Sequence, residues 1–156
     1  MQLFLFRTIL IICLFSIGLV AKSTLYTLPE DAKASQSAII KLIKNSKHSI
    51  SIAMYNLKYK KFIKQLKKAK SKGVDINLYL DANKVAKSKI KFIKYKTFKN
   101  KLHIKAALFD NKTVVFGSAN WKKESFTNNM EIIYISDDKK IVKQFKDMFK
   151  KLSKIK

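Results

Sequence analysis

Cysteine, arginine, proline, glycine and histidine are all scarce in this chain of 156 residues, which holds one Cys, one Arg, one Pro, three Gly and two His. Each shortage excludes something. Cys13, the single cysteine, lies in an apolar leader, so a chain trimmed after Ala21 has no thiol at all. That rules out a disulfide framework and a thiolate nucleophile, and leaves stability to ordinary packing. Two histidines, His48 and His103, cannot build a four-ligand zinc site unaided. Acidic residues are also few: ten Asp plus Glu face 34 Lys plus Arg, for a formal charge of +24. Such a balance points to a polyanionic partner, either nucleic acid or an anionic membrane surface. All but one of the cations are Lys, the exception being Arg7, so a base-composition bias of the source genome competes as the origin of part of the excess.

Long hydrophobic runs are equally rare. The one that stands out is "MQLFLFRTILIICLFSIGLVA", residues 1–21, where Thr8 to Ala21 is uncharged after the lone arginine. Fourteen residues are short for a bilayer span and normal for the apolar region of an export leader. The reading is therefore a signal peptide over 1–21, or an N-terminal membrane anchor if it stays uncut, followed by one domain over 22–156. The expected location is outside the cytoplasm: periplasm or cell envelope, membrane-anchored or secreted. Without the leader, 33 Lys oppose 10 acids, a charge of +23.

What is present has a clear order. Ser23 to Leu28 reads as a strand stopped by Pro29, with Glu30 and Asp31 placed where a helix N-terminus favours acids. Ala38, Ile39, Leu42 and Ile43 repeat at helical spacing over Ala32 to Ser46. "HSISIAMYNL" is a strand. Tyr59, Phe62, Ile63, Leu66 and Ala69 mark one face of a lysine-covered helix that Gly73 ends. Val74 to Leu80 is a strand, with Asp81 just past it. Lysines at 84, 87, 89, 91, 94 and 96 then cover a further helix. Leu102 to Phe109 and Thr113 to Phe116 form a hairpin turned by "DNK". A loop over 117–129, a strand from Glu131 to Ser136 and a helix from Lys139 to Lys154 complete the domain. Asp137 and Asp138 read as a turn and helix cap. This β-α-β-α-β opening predicts an α/β domain with a largely parallel sheet.

Within the hairpin lies "HIKAALFDNKTVVFGSAN". Residues i and i+2 of a strand share a face, so His103 and Lys105 project together. The return strand delivers Gly117, Ser118 and Asn120 to the same end. Gly117 permits close backbone approach, while Ser118 and Asn120 add short polar groups. An imidazole, an ammonium, a hydroxyl and an amide together suit a tetrahedral oxyanion such as a phosphate diester.

The stretch matches HxK(x)4D(x)6GSxN at His103, Lys105, Asp110, Gly117, Ser118 and Asn120, and so resembles the HKD motif of the phospholipase D superfamily. "ISIAMYNL", "KGVDINLYLD" and "NNMEIIYI" extend the resemblance across nearly all of residues 23–152. It is nearest to the short, single-motif bacterial endonucleases of that superfamily. The resemblance implies an α-β-α sandwich with a mixed, largely parallel central sheet, and phosphodiester cleavage without metal or other cofactor. His103 would attack phosphorus to give a covalent phosphohistidine, and a second imidazole would protonate the leaving oxygen and then activate water. Lys105, Ser118 and Asn120 would hold the phosphoryl oxygens with Gly117 beside them. Glu131 would hydrogen-bond and orient the ring of His103, and Asp110 would anchor the motif. One motif supplies one histidine, so a homodimer with the active site at its interface is expected. His48, before a strand where the family has no catalytic residue, reads as structural.

Three functions follow for comparison. The favoured one is a non-specific endonuclease acting on DNA, with RNA as a further substrate. A phospholipase D acting on membrane lipid is the second, and a non-catalytic basic protein that binds polyanions the third. Trp121 reads equally as a base-stacking ring or a packing residue. The lysine faces of 58–72 and 84–96 read first as solvated surface and second as a track for DNA.

Overall fold

The computed structural model describes residues 21–85, 90 and 92–155. Over them the chain runs β1 (Ser23–Leu28), α1 (Ala32–Asn45), β2 (Ser49–Met54), α2 (Lys60–Ser71), β3 (Asp75–Leu80), α3 (Ala82–Val85) and β4 (Tyr95–Lys96). It continues through β5 (Lys105–Phe109), β6 (Thr113–Gly117), α4 (Lys123–Thr127), β7 (Glu131–Ser136) and α5 (Lys139–Lys154). Most of the expected leader, with Arg7 and Cys13, lies outside the described residues. So do Lys87, Lys89 and Lys91 of the expected lysine-rich helix. Of that helix the described part is the single turn α3, while Tyr95 and Lys96 lie in a strand instead.

The strands form one mixed sheet in the order β1-β7-β6-β5-β2-β3-β4. Five of them, β1, β2, β3, β4 and β6, run one way, yet only β2–β3 and β3–β4 are parallel neighbours. The other four pairings are antiparallel. "Largely parallel" therefore holds for strand direction and fails for strand pairing. The reason is topological: β5 and β7 insert between co-directional strands, and β1 pairs with β7 at the far edge, away from β2.

Alternation along each strand builds two cores. Ile50, Ile52 and Met54 of β2, Ile76, Leu78 and Leu80 of β3, and Ala107 and Phe109 of β5 face α1 and α2, with Phe62 and Phe126 completing that side. Ala53, Tyr79, Leu108 and Val114 point the other way, onto Val142, Phe149 and Leu152 of α5. The result is the expected α-β-α sandwich. Asp138 caps α5, its carboxylate accepting the Ile141 N–H at 2.9 Å. Gly73, with φ of 87°, closes α2 and lets Val74 N–H reach back to the Ala69 carbonyl. Among the described residues no helix is long and apolar enough to cross a membrane.

Antiparallel pairing of β5 with β2 and β6 positions the site. Lys105 pairs with Met54, so β5 starts where β2 ends, and β6 finishes beside both. β7 begins there too, because Leu28 at the end of β1 pairs with Glu131. One end of the sheet thus gathers the carboxyl ends of β1, β2, β3 and β6, the location where open α/β sheets hold ligands.

Candidate active site

His103 and Lys105 meet at that end of the sheet. The regular strand starts at Lys105, three residues later than the spacing predicts, and the preceding segment is held by tethers instead. Leu102 N–H donates to Asp81 Oδ2 at 3.1 Å, and Tyr55 N–H donates to the Ile104 carbonyl at 3.0 Å. The backbone stays extended enough to keep both side chains on one side. Lys105 Nζ lies 3.1 Å from His103 Nε2 and 2.9 Å from the His103 carbonyl oxygen. An ammonium can only donate, so Nε2 carries the lone pair and the ring hydrogen sits on Nδ1. The Tyr55 ring packs edge-on to the imidazole at 4.8 Å between centroids.

Electrostatics follow from these contacts. The Lys105 ammonium, then partial desolvation and the Lys101 ammonium, push the His103 imidazole below its ordinary value of 6.5; Asp81 opposes them. These contacts favour the neutral, nucleophilic form of His103 in the free site. Desolvation also lowers Lys105, with Lys101 adding to the effect and the Glu131 carboxylate working against it.

Asn120 joins the pair through the chain that follows β2. Its Oδ1 accepts the Asn56 N–H at 3.1 Å, which fixes the amide and leaves Nδ2 as a donor. Ser118 is exposed, and its Oγ accepts the Ile132 N–H at 3.1 Å while keeping its own hydrogen free to donate. Ser118 and Glu131, with Thr27, Leu28, Glu30, Met130 and Ile132, line an open cleft of about 310 Å³.

Three expectations change. Glu131 does not bond His103: its Oε1 accepts from Asn129 Nδ2 at 3.1 Å and Ser125 Oγ at 3.4 Å. Its influence reaches Lys105 through charge. For Gly117 a packing reason joins the role beside the substrate that the sequence suggests: a Cβ there would lie 2.1 Å from the Ile132 carbonyl oxygen of β7. Trp121 is 2% exposed, with its ring against Phe62 at 5.0 Å, so the packing reading holds and the base-stacking reading fails.

Asp110 lies at the opposite end of β5, as befits an anchor. Its carboxylate accepts the backbone N–H groups of Lys47, His48 and Ser49 at 2.8–2.9 Å. Burial pushes its pKa up, but the three N–H groups outweigh that and hold it below the ordinary value of 3.8. Positive φ at Asp110 and Asn111, 50° and 54°, makes the primed turn that right-twisted hairpins favour. His48 sits at that same far end, the length of β2 and about 20 Å from His103.

Spacing alone missed Tyr55, Asn56, Asp81, Lys84 and Lys101. The available signal was position: Tyr55-Asn56 and Asp81 each follow a buried strand at its carboxyl end. Asp81 is 2% exposed and spends its carboxylate on Asn83 and Leu102 N–H, tying β3 to the segment that carries His103. Among the described residues, no three His, Cys, Asp or Glu side chains group as metal ligands.

Comparison with known proteins places this geometry. Residues 39–153 match the domain family described as "Cardiolipin synthase, PLD-like domain". The fold overlays NucT from Helicobacter pylori with a TM-score of 0.77 at 25% identity, covering 85% of this chain and 96% of that one. It overlays Nuc from Salmonella typhimurium, a phospholipase D family member, with a TM-score of 0.75 at 24% identity, covering 85% and 93%. A stretch of 51 residues is 41% identical to the mitochondrial cardiolipin hydrolase of Xenopus laevis, amounting to 33% of this chain and 24% of that protein. The chain thus spans about a quarter of the curated relative it matches.

Proposed function

The chain belongs to the phospholipase D-like domain family, and from that premise we propose that it is a metal-independent endonuclease that cleaves DNA, and also RNA, through a phosphohistidine. The observation that carries the reading is the exposed contact of His103 Nε2 with Lys105 Nζ at 3.1 Å. It joins an unprotonated nucleophile to a cation that can neutralise a phosphodiester.

In the first step Lys105 moves its hydrogen bond from Nε2 to a non-bridging oxygen. The freed Nε2 forms a bond to phosphorus while the bond to the leaving oxygen breaks. The opposite imidazole, protonated once the phosphate anion lies between the two rings, donates its proton to that oxygen. Lys105, Ser118 Oγ–H and Asn120 Nδ2 donate to the non-bridging oxygens, where charge accumulates. In the second step the opposite imidazole, now neutral, takes a proton from water as the water oxygen attacks phosphorus. The phosphorus–nitrogen bond breaks and His103 is regenerated. Asp81 and Tyr55 position the nucleophile, and Glu131 supports the charge on Lys105.

The opposite imidazole is His103 of a second copy. His48 is the only other histidine, and it stands at the wrong end of the sheet. A twofold dimer brings the two imidazoles to opposite sides of one phosphate in a single shared site. Subunit mixing tests this: the unaltered chain, exchanged with an excess of His103→Ala, is expected to lose activity as heterodimers form, because a site with one imidazole lacks its proton donor. Full activity retained in a mixture shown to exchange subunits contradicts the dimer.

The high positive charge and the exposed site favour a nucleic acid over a lipid. The 41% identity to a cardiolipin hydrolase favours the second reading, a phospholipase acting on membrane lipid. Plasmid DNA and cardiolipin vesicles, each incubated with the purified full chain in excess EDTA, separate the two. Nicked and linear plasmid with intact lipid is the expected result; hydrolysed lipid with intact plasmid overturns it.

A further inference from the structure

Three lysine side chains converge on one aromatic ring beside the nucleophile. Lys84 and Lys101 each place Nζ 5.3 Å from the Tyr55 centroid, and Lys105 places its own at 5.5 Å. They come from separate segments: α3 after β3, the stretch before His103, and the first residue of β5. None has a carboxylate within 4.0 Å, the ion pairs among the described residues being Lys58–Glu124 and Lys143–Asp147. The two nearest acids are already occupied, Asp81 by backbone N–H groups and Glu131 by Ser125 and Asn129.

A lysine-rich composition scatters cations over a surface, and mutual repulsion spreads them further apart. Convergence on Tyr55 runs against that tendency. The ring's negative face holds the ammonium groups in place of a counter-ion, and the excess positive charge is left for a ligand to neutralise.

A single diester is already served by Lys105, Ser118 and Asn120, which leaves Lys84 and Lys101 over. Both lie within 10.8 Å of Lys105, the sum of their distances to the shared centroid. A polynucleotide presents a further phosphate at every nucleotide step, inside that reach. Building on the phosphodiesterase reading above, we propose that Lys84 and Lys101, gathered by Tyr55, bind the phosphate next to the scissile one. The site thereby selects a polynucleotide over an isolated diester.

The test compares the full chain with its Lys84→Ala/Lys101→Ala double variant on three substrates: bis(p-nitrophenyl) phosphate, a short oligonucleotide, and cardiolipin vesicles as a lipid with two phosphates. Both lysines are exposed or half-buried, and circular dichroism confirms that the variant is folded. The oligonucleotide kcat/KM is expected to fall at least tenfold further than that for the lone diester. The plot of log kcat/KM against log salt for the oligonucleotide should become shallower by about one unit. Equal losses on the oligonucleotide and the lone diester, an unchanged salt slope, or a larger loss on the vesicles than on the oligonucleotide overturns the proposal alone. If the unaltered chain hydrolyses none of the three, the phosphodiesterase reading falls and takes this inference with it.

Discussion

Lys105 grips His103 twice, with Nζ 3.1 Å from ring Nε2 and 2.9 Å from the backbone carbonyl oxygen of the same residue. The double contact fixes the tautomer and favours the neutral imidazole in the free enzyme. A lowered pKa means that the neutral form persists below pH 6.5, so the acid limb of kcat/KM lies below that value. NMR titration of the His103 ring checks this directly. A midpoint below 6.5 is expected, moving upward in Lys105→Ala and by a smaller amount in Lys101→Ala. A midpoint above 6.5 in the unaltered protein contradicts the electrostatic account.

Asp110 makes a prediction about stability. Its folded pKa is depressed, so its contribution is complete above the ordinary carboxylate value of 3.8 and is lost as pH falls through the lower folded value. Asp110→Ala should cost about 2 kcal/mol at neutral pH, well below the sum for three bonds to a charged group because two of them are solvent-exposed. Urea denaturation at pH 7 and at pH 3 measures it, with the difference between variant and parent shrinking at the lower pH. Activity per folded molecule should be retained. Its loss in a fully folded sample would contradict the anchoring role and place Asp110 among the catalytic groups.

Gly117 is bounded by backbone, not by a flexible side chain. A Cβ 2.1 Å from the Ile132 carbonyl oxygen forces β6 and β7 apart, so Gly117→Ala should lose about 3 kcal/mol in denaturant unfolding. An alanine variant as stable as the parent contradicts this packing argument.

Glu131 acts on Lys105 by charge, and NMR titration of the two side chains distinguishes that from a bond to His103. Glu131→Gln removes the influence that raises Lys105, so the Lys105 ammonium should titrate at lower pH. A shift of the His103 midpoint with Lys105 unmoved would instead mark Glu131 as a partner of the imidazole.

The parts of this site that were legible in the sequence are those set by local geometry. His103 and Lys105 share a face because strands alternate, and a short hairpin must return Ser118 and Asn120 to where it began. Asp138 was legible as a cap for the same reason. The parts that needed the folded chain depend on which strands become neighbours. Tyr55 and Asp81 enter the site because β2 lies between β5 and β3, an order that a β-α-β pattern does not specify. Strand pairing was misjudged on the same ground. Glu131 shows a finer limit: its place at the start of β7 was foreseeable, but its bonds to Ser125 and Asn129 depend on the turn after α4.

The account rests on His103 as the nucleophile, and trapping the covalent intermediate tests it most directly. The full chain, mixed in EDTA with an oligonucleotide labelled on the fragment that retains the phosphate, is quenched within one turnover and separated under denaturing conditions. The expected result is label on the protein that survives alkali, is released by acid, maps to the peptide containing His103 and is absent from His103→Ala. Rapid cleavage with no label on the protein, or label that persists in His103→Ala, contradicts the mechanism.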